Sequence, residues 1–228
     1  LLGPAMGPTS VVTPTGTVFT GTVAADTLTG GSGWDQFTGQ GGNDTITGGD
    51  GIDTAFYSGV RAGYTVAVGA SSITVTDLVA GRDGTDALTG VERLAFADIR
   101  LALDVAGSAG KAYRLYQAAF DRMPDLAGLG FQMKALDDGL NIAQVAANFI
   151  ASPEFQRTYG ALNDTQFVNQ LYQNVLHRAA DASGLAFHTN NLATGANTRA
   201  NVLVGFSESP ENQAALIGTI QNGMVYTL

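Results

Sequence analysis

Four aspartates, Asp26, Asp35, Asp44 and Asp53, fall nine residues apart, and nothing else in the chain limits its fold as tightly. Gly21, Gly30, Gly39 and Gly48 hold the same phase, and Gly33, Gly42 and Gly51 stand two residues before the last three aspartates. Two residues after each aspartate comes an apolar side chain: Leu28, Phe37, Ile46 and Ala55. Each unit therefore reads G-x-x-G-x-D-x-(apolar)-x, with a second glycine, Gly31 or Gly49, in two of them. A unit this short cannot bury its apolar side chain alone, so the copies must stack. Glycines admit positive φ and leave carbonyls unobstructed, which lets a tight turn aim several backbone oxygens at one point. The residues after each aspartate form a minimal strand with one inward side chain. A flexible Gly/Asp-rich linker would have no reason to hold Leu28, Phe37 and Ile46 in register.

The charge supports a metal. The formal net charge is −9, and residues 1–110 carry 11 acids against 4 bases, none of the bases before Arg61. Stacked turns would bring these carboxylates, with Asp50 added, near one another without a base to offset them. Carboxylates and backbone carbonyls are hard oxygen ligands, suited to Ca²⁺ with its about six to eight oxygens. The metal-ligating set predicted from the repeat is Asp26, Gly31, Gly33, Asp35, Gly42, Asp44, Gly49, Gly51 and Asp53, with calcium as the cofactor.

Over about residues 21–59 the sequence resembles the haemolysin-type (RTX) calcium-binding nonapeptide repeat. The resemblance implies a right-handed parallel β-roll, folded by calcium outside the cell after unfolded export through a type I secretion channel. Asp35, Asp44 and Asp53 match the family's aspartate position, and Asp26 does so in a unit whose turn is not glycine-rich. Gln40 replaces a glycine and Ala55 is a small inward residue, which predicts a short array fraying at its ends. Trp34 falls at a turn position pointing away from the strand stack, as a partner contact or an exposed turn aromatic. Short β-type runs follow at 64–68 and 73–76. The stretch 83–98 resembles the strand cap that follows such repeats and would cover the open edge of the roll. Asp83 and Asp86 within it fit calcium ligation or a charged surface turn.

After residue 108 the pattern turns helical and repeats with an offset of 56. Leu115-Tyr116-Gln117 recurs as Leu171-Tyr172-Gln173, and Arg122, Asp125, Gly128, Leu129 and Phe131 recur as Arg178, Asp181, Gly184, Leu185 and Phe187. Phe149 and Ser152-Pro153-Glu154 recur one residue later, as Phe206 and Ser209-Pro210-Glu211. Asp125, Asp181, Ser152 and Ser209 are placed as N-caps, the serines followed by Pro at N1 and Glu in the first turn. Gly139, Gly160, Gly195 and Gly223 are placed as stops. The punctuation predicts helices near 109–122, 126–138, 142–151, 153–159, 164–178, 182–194, 198–207 and 210–222. Residues 110–212 resemble domain of unknown function 4214, a helical module of large bacterial extracellular proteins. That family often carries a Trp where this chain has Gln132 and His188. Recurrence of Arg122/Asp125 as Arg178/Asp181 points to a structural task. His177 is read as preceding a helix end and His188 as a surface replacement.

The expected architecture is mixed and of two domains. A linker or lead-in strand at 1–20 precedes a short parallel β-roll with a β cap at 21–107, then an all-α domain of two duplicated four-helix units at 108–228. The acidic balance excludes a general grip on nucleic acid or an anionic membrane. The absence of cysteine excludes disulfides and thiolate chemistry. No apolar run reaches the roughly 20 residues of a membrane span, and no H-E-x-x-H, G-x-S-x-G or phosphate loop appears, so no enzyme is expected. The start, LLGPAMGPTS, has no basic region of a secretory signal and suggests a fragment or processed product. The predicted function is that of a secreted, extracellular or cell-surface calcium-binding protein that self-associates as a homo-oligomer, layer, filament or matrix. One alternative is a carboxyl-terminal export and stability module of a larger extracellular enzyme or toxin, to which the apolar tail 222–228 corresponds. Another is a glycan-binding adhesion module for a cell-surface glycan.

Overall fold

Two repeats make one coil of the roll. The computed structural model describes residues 15–228, so most of the expected lead-in segment, residues 1–14, lies outside the described residues. Strands β1 (Val18–Thr20), β2 (Thr27–Thr29), β3 (Gln36–Thr38), β4 (Thr45–Thr47) and β5 (Thr54–Phe56) have three residues each. They alternate between two sheets: β1 pairs in parallel with β3 and β3 with β5, while β2 pairs with β4. The central residue of each strand faces inward. Phe37, Ile46 and Ala55 are fully buried, and Phe19 stacks on Phe37 at 5.0 Å between ring centroids. The flanking threonines face outward, which suits β-branched residues on a half-solvated sheet.

The array does not end at Ala55. A 3₁₀ turn (Arg61–Gly63) leads into the antiparallel hairpin β6 (Tyr64–Val68) and β7 (Ile73–Asp77). The chain then returns to the roll, with β8 (Thr85–Thr89) parallel to β4 and β9 (Arg93–Ala95) parallel to β5. Leu88 and Leu94 take the inward positions and are fully buried. Residues 83–98, expected to lie across the edge as a cap, thus extend both sheets by a further coil. The antiparallel neighbours β7 and β10 (Arg100–Ala102) terminate the parallel run there. The expectation of an array fraying at Ala55 is corrected accordingly.

Eight helices follow: α1 (Ser108–Phe120), α2 (Leu126–Asp137), α3 (Ile142–Ala151), α4 (Pro153–Tyr159), α5 (Asp164–Leu176), α6 (Ala182–Ala193), α7 (Arg199–Ser207) and α8 (Pro210–Ile220). Asp125, Asp181, Ser152 and Ser209 each accept a backbone N–H of the helix they start. Asp121 and His177, 56 residues apart, both close their helices in the left-handed conformation. Arg122 bonds Glu154 and lies over the Tyr116 ring, as Arg178 lies beside Glu211 and over Tyr172. The helices share a core that includes Leu115, Val145, Phe155, Phe167, Leu171 and Leu203. Asn174, buried on α5, donates to the carbonyls of Ala118 and Ala119 and to the Tyr159 hydroxyl, tying α5 to the end of α1. His188 is not a surface substitution: it packs against Phe206 at 5.2 Å, and burial lowers its pKa.

The tail, assigned to the helical part by its position, is a strand of the roll. β11 (Met224–Tyr226) pairs antiparallel with β10 and completes the sheet order β1-β3-β5-β9-β10-β11; the other sheet runs β2-β4-β8-β7-β6. Ala102 of β10, Met224 and Tyr226 of β11, Ala109 and Tyr113 of α1, Leu129 and Met133 of α2 and Ile220 of α8 form one shared core. Arg93, buried on β9, bonds Asp104 and lies 3.6 Å from Asp137 of α2.

Candidate metal centre

Because each strand is followed by a turn to the opposite sheet, successive aspartates alternate between the two edges of the roll. Asp26, Asp44 and Asp86 stack along one edge, and Asp35 and Asp53, with Glu92 beyond them, along the other. The stacking is carried by one recurrent bond. The backbone N–H of Asp26 donates to Asp44 Oδ1 at 2.9 Å, that of Asp35 to Asp53 Oδ1 at 2.8 Å, and that of Thr17 to Asp35 Oδ1 at 2.6 Å. Asp44 N–H donates to Asp86 Oδ1 at 3.0 Å, and Asp53 N–H to Glu92 Oε2 at 2.8 Å. One oxygen of Asp35, Asp44, Asp53, Asp86 and Glu92 thus fixes the coil next to it. The single crowd of carboxylates anticipated from stacking is therefore two separate rows.

The second oxygens divide by position. At the outer coil they are satisfied: Asp26 Oδ2 accepts from Thr22 N–H and Oγ1, and Asp35 Oδ2 from Gly31 N–H. In the inner coil, Asp44 Oδ2 and Asp53 Oδ2 are buried and accept no hydrogen bond. A buried carboxylate oxygen without a donor is costly, and a cation is the usual remedy. Each of these oxygens packs directly on a glycine, where no side chain could stand. A Cβ on Gly39 would lie 1.9 Å from Asp44 Oδ2, and one on Gly48 2.4 Å from Asp53 Oδ2. The expected carbonyl donors are in the same stacks: Gly49 sits on the carbonyl of Gly31, and Gly51 on that of Gly33, both at positive φ. Gly42 packs on Ala24 and is itself overlain by Gly84. Gln40 occupies a glycine position at φ 69° and donates its amide to the Gly21 carbonyl at 2.9 Å. Among the described residues no three acidic or histidine side chains converge. Any site here combines one or two carboxylates with backbone carbonyls, a donor set that fits calcium and not a transition metal.

Asp86, which fits calcium ligation or a surface turn by sequence, is a repeat residue whose register with Asp44 the nine-residue spacing hides. Gly81 to Thr89 reads G-x-x-G-x-D-x-(apolar)-x, a full unit. Asp86 stands 42 residues after Asp44, against 18 for a regular coil, so the hairpin inserts 24 residues and breaks the period. The unit's own signature was the signal that could have found it. Asp83, by contrast, turns toward the hairpin and accepts from Ser58 and the Tyr64 hydroxyl. On the opposite edge Glu92 replaces an aspartate, and no glycine-rich turn precedes it.

Electrostatics follow burial. The pKa of Asp35 is lowered by the N–H groups of Thr17 and Gly31. Those of Asp44 and Asp53 are raised, first by burial and then by the facing charges of Asp26 and of Asp35 and Asp50. Burial, with Asp44 and Asp83 adding to it, pushes Asp86 up to about 6. An acid whose pKa is raised on folding destabilises the metal-free fold above that pKa, and the penalty is relieved progressively as the pH falls from about 6 toward the unfolded value of 3.8. Protons and calcium compete for the same carboxylates. The calcium midpoint read by circular dichroism is therefore expected to be nearly flat from pH 8 to 7. Below pH 6 it should rise by up to about tenfold per pH unit for each proton displaced. A midpoint unchanged at pH 5 would contradict this placement of Asp86 and Asp44.

Comparison with known proteins agrees with this geometry. Residues 20–55 match the model of the RTX calcium-binding nonapeptide repeat (4 copies), and residues 146–216 match Domain of unknown function (DUF4214). RTX repeats bind calcium, and calcium is the cofactor of that segment. Neither description names a catalytic activity. A comparison with the curated proteins finds no match. Among solved structures the chain is similar to the extracellular lipase LipA from Serratia marcescens, at 20% identity and a TM-score of 0.23, over 41% of this chain and 18% of the lipase. The chain thus corresponds to less than a fifth of that protein's length. No helix among the described residues is long and apolar enough to cross a membrane.

Proposed function

We propose that the chain is a calcium-folded extracellular structural module whose roll sets when it meets calcium and whose helical part mediates self-association into a layer, filament or matrix. The observation that carries the reading is the pair of buried, unbonded oxygens, Asp44 Oδ2 and Asp53 Oδ2, each packed against a glycine where no side chain could stand. The proposed ligands, one or two carboxylates to a site, are Asp26, Asp44 and Asp86 with the carbonyls around Gly42 on one edge. On the other they are Asp35 and Asp53 with the carbonyls around Gly31, Gly33, Gly49 and Gly51. Bound calcium supplies positive charge between coils; the chain supplies the stacking, the exclusion of water and the N–H groups that orient each carboxylate. At low free calcium the rows repel and the roll stays open, a state suited to export by the type I route. Outside, metal that binds only the folded state stabilises it by mass action.

The helical part is proposed as two four-helix units derived from one, given the matched caps and Arg–Glu pairs. Its exposed aromatics recur too: Phe131 and Phe187, 56 residues apart, are 71% and 63% exposed. Paired apolar side chains on a surface favour contact with like copies. Size-exclusion chromatography with light scattering, in chelator and in about 1 mM calcium, tests the reading; extracellular calcium modules work near that concentration. Assemblies that form only with calcium and are lost in the Phe131→Ser/Phe187→Ser double variant support it. A chain that folds with calcium yet stays monomeric at every concentration overturns the self-association part, in favour of an export and stability module.

A further inference from the structure

A cleft of about 260 Å³ opens between the outer face of the six-stranded sheet and helix α2. Its floor is a row in register across three strands, Gln36 of β3, Thr54 of β5 and Arg93 of β9. Trp34, the only tryptophan in the chain, stands half-buried at one end, and Arg100 of β10 and Lys134 of α2 stand at the other. The calcium turns place Trp34 here, directly before Asp35, although calcium ligation gives its side chain no task.

The walls are fixed before any ligand arrives. Gly130 lets α2 approach so closely that a Cβ there would lie 1.8 Å from the Thr227 carbonyl, and Thr227 N–H donates to the Leu126 carbonyl at 3.1 Å. Preformed walls reduce the ordering cost of binding. The cations of the cleft differ in what already neutralises them. Lys134 is held by Asp138 at 2.6 Å, and Arg93 by Asp104 with Asp137 beside it. Arg100 forms no ion pair among the described residues. In a chain of net charge −9, a guanidinium left without a carboxylate, in a cleft that also offers an aromatic face, is complementary to an anionic ligand.

We propose that this cleft binds a carboxylated sugar, a pair of hexuronate units of an acidic polysaccharide. The carboxylate of one unit is taken by Arg100, and the C–H face of the neighbouring ring lies on the Trp34 indole. The ring hydroxyls meet Gln36 and Thr54, side chains that both donate and accept. The volume lies just below the about 300–1,000 Å³ of larger small-molecule sites and suits a ring or two, not a folded partner. One aromatic face with polar groups on both sides fits a ring rimmed by hydroxyls better than a purely apolar acid. The inference goes beyond the calcium reading and requires only that the roll be folded.

Because Trp34 is the only tryptophan, its emission reports occupancy directly. The full chain, in excess calcium and with its β signal confirmed by circular dichroism, is titrated with digalacturonate and with the neutral galactose disaccharide. Calorimetry runs in parallel. The expected result is a saturable change with digalacturonate and binding about tenfold weaker or more for the neutral sugar, as for loss of one charge-assisted hydrogen bond. Arg100→Gln should weaken digalacturonate binding by a similar factor. Gln36→Tyr, at an exposed strand position that accepts aromatics, should narrow the cleft and weaken both sugars. No saturable binding by a chain whose calcium-dependent β signal is intact overturns the proposal, as does equal binding of the neutral sugar. Unchanged affinity in both variants also overturns it. A chain that shows no calcium response at all contradicts the calcium reading instead.

Discussion

Chelating calcium is expected to abolish the β signal of the roll and to loosen α2, α8 and the first half of α1, while the second half of α1 and α3 to α7 stay folded. The size of the effect follows from linkage: calcium at about a hundredfold above its dissociation constant contributes about 2.7 kcal/mol per site. Two rows of sites would contribute at least twice that, a large share of the about 5–15 kcal/mol that holds a domain folded. Chelation also restores the repulsion along Asp26, Asp44 and Asp86 and along Asp35, Asp53 and Glu92. The helices divide according to what they pack on. The largest helical cluster, which includes Val145, Phe155, Phe167, Leu171 and Leu203, draws on no residue of the roll, so it persists. Ala109, Tyr113, Leu129, Met133 and Ile220 pack on β10 and β11, so they lose their support when the sheet opens. Hydrogen exchange should show full exposure at 18–102, faster exchange in the first half of α1, in α2, α8 and 224–226, and unchanged protection in the second half of α1 and in α5. Identical exchange with and without chelator would remove calcium from the account of this fold; uniform melting would show that the two parts unfold as one.

That division could not be foreseen from spacing. The nine-residue phase made four strands, β2 to β5, legible, because one inward residue per unit is a local pattern: Phe37 and Ile46 are buried as their register requires. The helix boundaries were legible for the same reason, since Asp125 and Ser152 cap the helices they immediately precede. What escaped was non-local. Asp86 belongs to the row of Asp44 across a 24-residue hairpin, and a fixed period cannot carry across such an insertion. β11 pairs with β10 only after eight intervening helices, and Met224-Val225-Tyr226 alone does not distinguish an edge strand from an apolar tail. The two-row division of the acids follows from the alternation of strands between sheets, which the repeat length alone does not state. Gln40 looked like a defect; its amide satisfies the Gly21 carbonyl, which otherwise would be open at that turn.

The second large effect is expected at Arg93, where roll and helices meet. Arg93→Met should destabilise the calcium-bound chain by about 3–5 kcal/mol, the range for removing one partner of a buried ion pair. The side chain is 4% exposed, and it faces Asp104 and Asp137, themselves 10% and 13% exposed. Methionine matches the aliphatic stem but leaves both carboxylates buried without their cation. Burial already raises the pKa of Asp137, with the Asp104 charge adding to it, and only Arg93 and hydrogen bonds hold it down. Without Arg93 the folded state would bind protons more readily than the unfolded state. The variant's deficit should therefore be largest near neutral pH and shrink as the pH falls, the opposite of a simple loss of packing, which is independent of pH. The calcium requirement of the roll runs the other way, so the comparison is made in saturating calcium at each pH, by urea unfolding of the variant against the parent. The double variant Arg93→Met/Asp137→Leu provides the control. It removes one stranded charge and should recover part of the loss, since apolar replacement of a whole buried pair is often neutral. A deficit below about 1 kcal/mol, or one that does not change between pH 7.5 and 5, would mean that β11 and the shared apolar core alone join the helices to the roll. In that case Arg93 would be a passenger of the sheet.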